Sequence, residues 1–431
     1  MVDAPAAPVP GEARSPGAAA TDDAGTSGRW PPWAPWALVG GLILVRVIAI
    51  VVLLKTGVAH EHSVLGGDAR RYAEYFHGGT PYRDFPVEYP PLTLGLAWLV
   101  HRPSLLTSIA LLAVSQLIIE LLVGVVLWRT WGRRAGITYL VLGTPMVFFP
   151  FPYVRIDLLS VLLAVGGTAL ARRRHQVAGG AVLAAAVFAK VWPVVLAPAM
   201  LVRRQWRGLV GWAVTGLVGL VAWMVWAGTS GLEQVATFRG ATGWQIESFP
   251  GIVIHMIDPS SSRVEQGAWR TAVGVPGWSK VVMVLAVVTV LVLAWTWSAR
   301  AAASWRELAL DAYAPVAVVV AMLVFAPILS PQYVLWFVPF AAIATAAGDR
   351  LVGALTLAVT VLTTFILSSI HAQTEGALWA TVPILVRNTL LVVLGVVVLL
   401  RLRRSARSAT SATSATSATS ATEVATASSS A

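Results

Sequence analysis

Long apolar runs recur along this chain, separated by short charged interruptions. Trp36–Leu54, Leu105–Trp128, Leu209–Ala227, Val281–Trp297, Leu351–Ser369 and Ala380–Leu400 each approach bilayer length. A helix rising 1.5 Å per residue needs about 20 apolar residues to cross the hydrocarbon. Ile137–Phe149, Asp157–Ala171, Ala312–Pro327 and Tyr333–Ala347 continue the pattern with shorter runs. Val177–Ala189 and Val191–Val202 are shorter still and flank Lys190, as a pair of half-depth or tilted helices would. Leu92–Val100 is too short to cross and is expected to dip into the membrane or lie at its surface. The pattern predicts an all-α polytopic membrane protein of about 12 transmembrane helices, with both termini on one side.

The flanks break the pattern. Residues 1–34 are rich in Ala, Pro and Gly, lack an apolar run, and read as a disordered cytoplasmic tail rather than a signal peptide. Residues 401–431 repeat SAT and read as a second disordered, low-complexity tail, which leaves 35–400 as one transmembrane domain. The first polar connector is the densest, with Gly66–Pro91 reading GGDARRYAEYFHGGTPYRDFPVEYPP. Asp68 follows two glycines, where the backbone turns freely. Tyr72, Tyr75 and Phe76 follow at helical spacing and predict a short amphipathic helix lying on the membrane, its rings at head-group level. Four prolines then stiffen the return past Glu88 and Tyr89.

Composition agrees with this picture. Of 431 residues, 57% are hydrophobic and 12% charged, and the mean hydropathy is +0.74. A soluble domain carries roughly twice that charge. Without cysteine, disulfides and thiolate metal sites are excluded, and the scattered histidines lack ligand spacing. The net charge of +11 suggests nucleic acid until its placement is read. The connectors expected inside hold sixteen arginines and few acids; those expected outside hold eleven basic and eleven acidic residues. That is the positive-inside bias of a cell-membrane protein with cytoplasmic termini, anchored to anionic lipid, and no nucleic acid is expected as a partner.

In this register the unusual polar residues fall on the external side. Asp68, Glu88, Arg155, Asp157, Lys190, Gln245, Glu247, Ser330, Gln332 and Tyr333 all sit in or beside outer connectors, and Arg387 lies about two turns below the outer end of the last span. Arg155 and Asp157 alone read as a structural pair, and Ser330 before Pro331 as a helix boundary. Lys190, one of three lysines, stands among Ala189, Val191 and Trp192, and a cation in such a place needs an anion. Arg46 and Glu120, inside the first two spans, read as a structural pair. An outward cavity with a carboxylate and a cation suits transfer of a sugar from a lipid phosphate to a hydroxyl. The phosphate leaves readily, a cation stabilises its charge, and one carboxylate near Asp68 serves as base. Tyr72, Tyr89, Trp244 and Tyr333 offer rings for sugar faces.

GGDARRY, GGTPYRDFPVEYPP, VRID, AKVWP, WQIES and SPQY, in this order, resemble the motifs of glycosyltransferase family 87, polyprenyl-phosphate-mannose-dependent mannosyltransferases of the GT-C class. The resemblance runs from about residue 36 to 400. It implies a GT-C-like catalytic domain over 35–400 with an external active site and inverting α-mannosyl transfer. It also implies an acidic base in the first outer loop, which falls on Asp68. A polyprenyl-phosphate sugar is the implied donor, a glycolipid or polysaccharide the implied acceptor, and neither cofactor nor metal is expected. AKVWP departs from the pattern at Trp192, where a smaller residue is expected. An arabinosyl- or glucosyltransferase, or a lipid-linked-sugar flippase with broken helices around 177–202, remains the alternative.

Overall fold

The computed structural model describes residues 31, 33–57, 70–72, 75–76, 78–237, 241–265 and 267–429, with side chains as far as 409. The expected N-terminal tail falls almost wholly outside the described residues.

Every described stretch expected to be a span is helical. Among the described residues, seven helices are long and apolar enough to cross a membrane: α1 (Ala34–Thr56), α3 (Leu105–Trp131), α7 (Trp206–Ala227), α10 (Gly277–Arg300), α11 (Ala303–Val324), α13 (Arg350–Ser368) and, over Leu378–Ala409, α14 (Leu378–Ser429). The chain is an all-α polytopic membrane protein. The other expected crossings are shorter. α4 (Arg133–Val147), α5 (Asp157–Arg172) and α6 (Gln176–Ala189) have 15, 16 and 14 residues, about 21–24 Å of helix against about 30 Å of hydrocarbon. Two more are broken by prolines, which remove an N–H and clash with the preceding turn. Pro193 and Pro198 divide 192–202 into a 3-10 turn and a five-residue helix. A second 3-10 turn, Pro331–Trp336, precedes α12 (Val338–Ala346). Leu92–Val100 forms α2 (Pro91–Val100).

Between α7 and α10 the long connector folds into α8 (Ser230–Ala236), α9 (Phe249–Ile257) and a small antiparallel sheet. Its strands β1 (Gly243–Gln245), β2 (Ser262–Glu265) and β3 (Ala268–Gly274) lie in the order β1-β3-β2. The last helix, α14 (Leu378–Ser429), continues through the SAT repeats where disorder was expected. Alanine, every third residue of the repeat, is the best helix former, and extending an existing helix avoids nucleation.

The core gathers on α11, most of whose apolar residues are buried, whereas most of those of α1, α7 and α10 are not. Those outer helices turn Val214, Leu217, Val218, Val225, Val281 and Leu285 outward, as lipid-facing surfaces do. Inside, α6 and α7 touch through glycine: a Cβ on Gly180 would overlap the Gly208 carbonyl, and one on Gly211 the Val177 carbonyl. Small residues give membrane helices such close approach. Arg46 on α1 bonds Glu120 Oε1 on α3 at 3.0 and 2.8 Å and the Leu140 carbonyl on α4 at 2.8 Å. Tyr153 donates to Glu120 Oε2 at 2.6 Å. The expected Arg46–Glu120 pair is therefore the joint between three helices.

Three helix ends on one side of the molecule share one turn. The amides of Arg174, Arg204 and Gly348 donate to Ala171, Leu201 and Thr345, and those of His175, Gln205 and Asp349 to Leu170, Met200 and Ala344. This is the Schellman pattern, whose penultimate residue takes positive φ and favours glycine. Only one of the three turns uses glycine; Arg174 has φ 69° and Arg204 φ 55°.

Candidate functional site

The short helices end on a cavity of about 190 Å³ at the opposite end of the molecule from these turns. Six parts of the chain wall it: Arg71 with Glu88 and Tyr89, Phe151 and Arg155, Lys190, Gln245 and Glu247 with Arg270, Ser330 to Tyr333, and Leu367 with Gln373.

Lys190 caps the C-terminus of α6. Its Nζ lies 3.0 Å from Asp157 Oδ1, at the start of α5, and Trp336 Nε1 donates to the same oxygen at 2.9 Å. The ammonium also stands 5.0 Å from the ring centres of both Tyr89 and Tyr333 and 5.8 Å from that of Trp336. Aromatic faces and one carboxylate thus hold a cation that few waters reach. Trp192 explains itself here: it stacks on Trp336 at 5.4 Å and donates to Ser160 Oγ at 2.9 Å, buried behind the lysine.

The other walls carry complementary groups. Arg71 Nη1 bonds Glu88 Oε1 at 2.6 Å. Arg155 places its guanidinium 4.1 Å from the centre of the Phe151 ring. Arg270 on β3 donates to the Gly243 carbonyl at 3.0 Å. Gln245 and Gln332 are each only 6% exposed, and their Oε1 atoms have no hydrogen-bond partner among the described residues. An unpaired buried acceptor is costly, and both residues belong to the cavity wall.

Glu247 is fixed from outside the cavity. Arg387 on α14 donates to its carbonyl at 2.9 Å and approaches Oε2 at 3.4 Å, and Asn388 donates to the carbonyl at 3.0 Å. Burial pushes its carboxyl from 4.5 up to about 7, and the guanidinium offsets only part of this. Below it, Ser248 caps α9 by accepting from the Gly251 amide at 3.2 Å. His255 bonds Ser262 Oγ and the carbonyl of Gln373, itself in the cavity wall, both at 2.7 Å.

The structure gathers nine of the residues singled out in the sequence around one cavity: Glu88, Tyr89, Arg155, Lys190, Gln245, Glu247, Ser330, Gln332 and Tyr333. Three stand behind the wall instead. Asp157 supports Lys190 and Arg387 supports Glu247. Tyr72 packs edge-on against Tyr89, with ring centres 5.6 Å apart. Tyr72 and Tyr75 are 3% and 5% exposed, which corrects the expectation of rings at head-group level: they pack inward with Tyr82 and Tyr89. Of the amphipathic helix itself, the described part is helical over 70–72. Asp68 lies outside the described residues. The expected Arg155–Asp157 pair gives way to Lys190–Asp157, because Asp157 opens α5 and faces the adjacent end of α6.

Sequence reasoning passed over Arg71, Arg270, Phe151 and Gln373. Arg71 stood within the GGDARRY stretch. Arg270 had no local signal, since only the pairing of β3 with β1 brings it to the cavity.

Residues 87–331 match the sequence model of glycosyltransferase family 87. The chain belongs to this family. Its substrates are therefore a sugar donor and an acceptor. The family match runs from the return of the first connector to Pro331, so it covers Glu88, Arg155, Lys190 and Glu247, and it is narrower than the span of the resemblance. No curated protein matches the chain to narrow the activity further.

Proposed function

We propose that this glycosyltransferase moves a hexose, mannose in the first instance, from a polyprenyl-phosphate sugar to a hydroxyl of a glycolipid or polysaccharide on the external membrane face. The observation that carries this reading is the pairing of cations with unpaired carboxamide oxygens in one cavity. Arg71, Arg155, Lys190 and Arg270 line it, an excess of positive charge suited to a phosphate. The Oε1 atoms of Gln245 and Gln332, which have no partner among the described residues, suit sugar hydroxyls.

In the proposed step the acceptor oxygen attacks the anomeric carbon while the carbon–oxygen bond to phosphate breaks. The bonding pair leaves with the polyprenyl phosphate, whose growing charge meets Lys190 and Arg155. The acceptor proton passes to a carboxylate, assigned to Asp68, with Glu88 the next candidate. One displacement without a covalent intermediate inverts the anomeric centre, by the logic of inverting glycosidases. No cofactor takes part in this scheme. The polar end of the molecule is assigned to the outside of the cell membrane and the arginine-rich end to the cytoplasm, on the positive-inside bias.

A donor panel tests the reading. Purified protein is given polyprenyl-phosphate mannose, glucose or arabinose with a membrane glycolipid extract, and the product's anomeric configuration is read by NMR. Transfer of one sugar with inversion is expected. Retention of configuration contradicts the single displacement, and no transfer from any lipid-phosphate sugar contradicts the donor class.

A further inference from the structure

A second cavity, of about 940 Å³, lies at the other end of the molecule, where the tips of α5, α7, α10 and α11 meet. α5 runs from Asp157 beside the first cavity to Arg172 in the second, so the two are separate. Five arginines line it: Arg172, Arg174, Arg203, Arg204 and Arg306. Its acids are already taken. Arg172 bonds Glu307 and Asp311, each at 2.5 Å, and Arg203 bonds Asp311. Arg174 and Arg204 have no ion-pair partner among the described residues, and both hold the left-handed backbone where the equivalent third turn has Gly348.

Gln205 supplies a second, independent observation. It is 9% exposed and lines the same cavity. Its Nε2 donates to the Ala171 carbonyl at 3.0 Å, while its Oε1 is buried with no partner among the described residues. The cavity therefore offers an anion two uncommitted guanidiniums and offers a hydroxyl one uncommitted acceptor. Exposed apolar side chains adjoin its lining residues in the chain: Trp206, directly after Gln205, is 62% exposed, Trp305, directly before Arg306, 43%, and Leu201, two before Arg203, 51%. Exposed tryptophans beside the end of a membrane helix belong at head-group depth, and basic pockets between helix ends there suit lipid phosphates.

We propose that this cavity holds the head group of an anionic phospholipid that carries both a phosphate and a free hydroxyl. The phosphate lies between Arg174 and Arg204, the hydroxyl donates to Gln205 Oε1, and the acyl chains leave past Trp206. The site is independent of the proposed transfer reaction.

The test uses full-length protein in neutral detergent, with lipid binding read by native mass spectrometry and thermal unfolding. The probes are phosphatidylglycerol, phosphatidylcholine and glycerol 3-phosphate. The double variant Arg174→Gly with Arg204→Gly keeps the turns, since glycine takes positive φ without strain. Wild-type protein is expected to prefer phosphatidylglycerol over phosphatidylcholine by at least about tenfold, and the variant to lose that preference while remaining folded. Equal binding of the two lipids by wild type, or an unchanged preference in the variant, overturns the site. Glycerol 3-phosphate binding as tightly as phosphatidylglycerol overturns the lipid assignment in favour of a soluble phosphate ester.

Discussion

Lys190 and Asp157 form an ion pair in which each needs the other. Asp157 is 2% exposed and has otherwise the Trp336 indole as its side-chain partner. Lys190→Met strands that carboxylate, and removing one member of a buried pair costs about 3–5 kcal/mol. Adding Asp157→Asn should restore most of the loss, since the amide is neutral and still accepts from Trp336. Thermal unfolding of the four proteins in one double-mutant cycle measures the coupling; additive effects would contradict a direct pair. Glu247 gives a pH signature. Its raised value means that the folded protein keeps a proton that the unfolded chain releases above pH 4.5. The stability this adds is fully present below pH 4.5 and is lost as pH rises through about 7, a fall on the order of 3 kcal/mol. Glu247→Gln should remove this slope from unfolding midpoints measured between these pH values, and an unchanged slope would clear Glu247 of it. At this scale the sequence showed the chemistry but not the partnerships. A lysine between alanine and valine announces that it needs an anion. Which acid answers depends on two helix ends meeting, and Arg155 two positions from Asp157 was the more obvious partner.

Among elements, the joints decide. The Arg46–Glu120–Tyr153 group ties α1 and α3 to the connector after α4, with the Leu140 carbonyl completing the arginine's set. Arg46→Met alone should lower stability by about 3–5 kcal/mol, and Arg46→Met with Glu120→Gln by far less, because no charge is then left buried. Equal loss in both would contradict the pair's role. Gly180→Ala forces α6 from α7 at the Gly208 carbonyl; overpacking of this kind costs about 1–3 kcal/mol. Since α6 carries Lys190 at its end, the donor KM should rise with it. The helices themselves were legible from their apolar runs. So were the shorter lengths of α4, α5 and α6, whose apolar runs are themselves shorter than a span; where each helix ends was not, because turns and prolines set it. The three-stranded sheet was illegible for another reason. Its strands are three, four and seven residues long, and β1 finds its partner across the whole of α9.

At the scale of the molecule the chain is polarised. One end collects Arg71, Glu88, Arg155, Lys190, the two glutamines and Tyr333 around a cavity. The other collects arginines at three like-built turns and a second cavity. Apolar flanks on α7 and α10 separate the two. The positive-inside count foretold this division, since it needs only the order of charges between apolar runs. It did not foretell that seven of the described helices carry the span length while shorter ones fill the centre, because hydropathy measures burial and does not distinguish lipid from protein.

The central claim is transfer from a lipid-phosphate sugar with Asp68 as base. It is tested most directly by giving purified wild-type and Asp68→Asn protein radiolabelled polyprenyl-phosphate mannose and a membrane glycolipid extract. The substitution is isosteric, so both should insert and unfold alike. Label moving to acceptor with wild type, and falling by at least about a hundredfold with Asp68→Asn, is the expected result. Equal transfer by both would keep the enzyme and remove Asp68 as its base, and no transfer by folded wild-type protein from any polyprenyl-phosphate sugar would contradict the account.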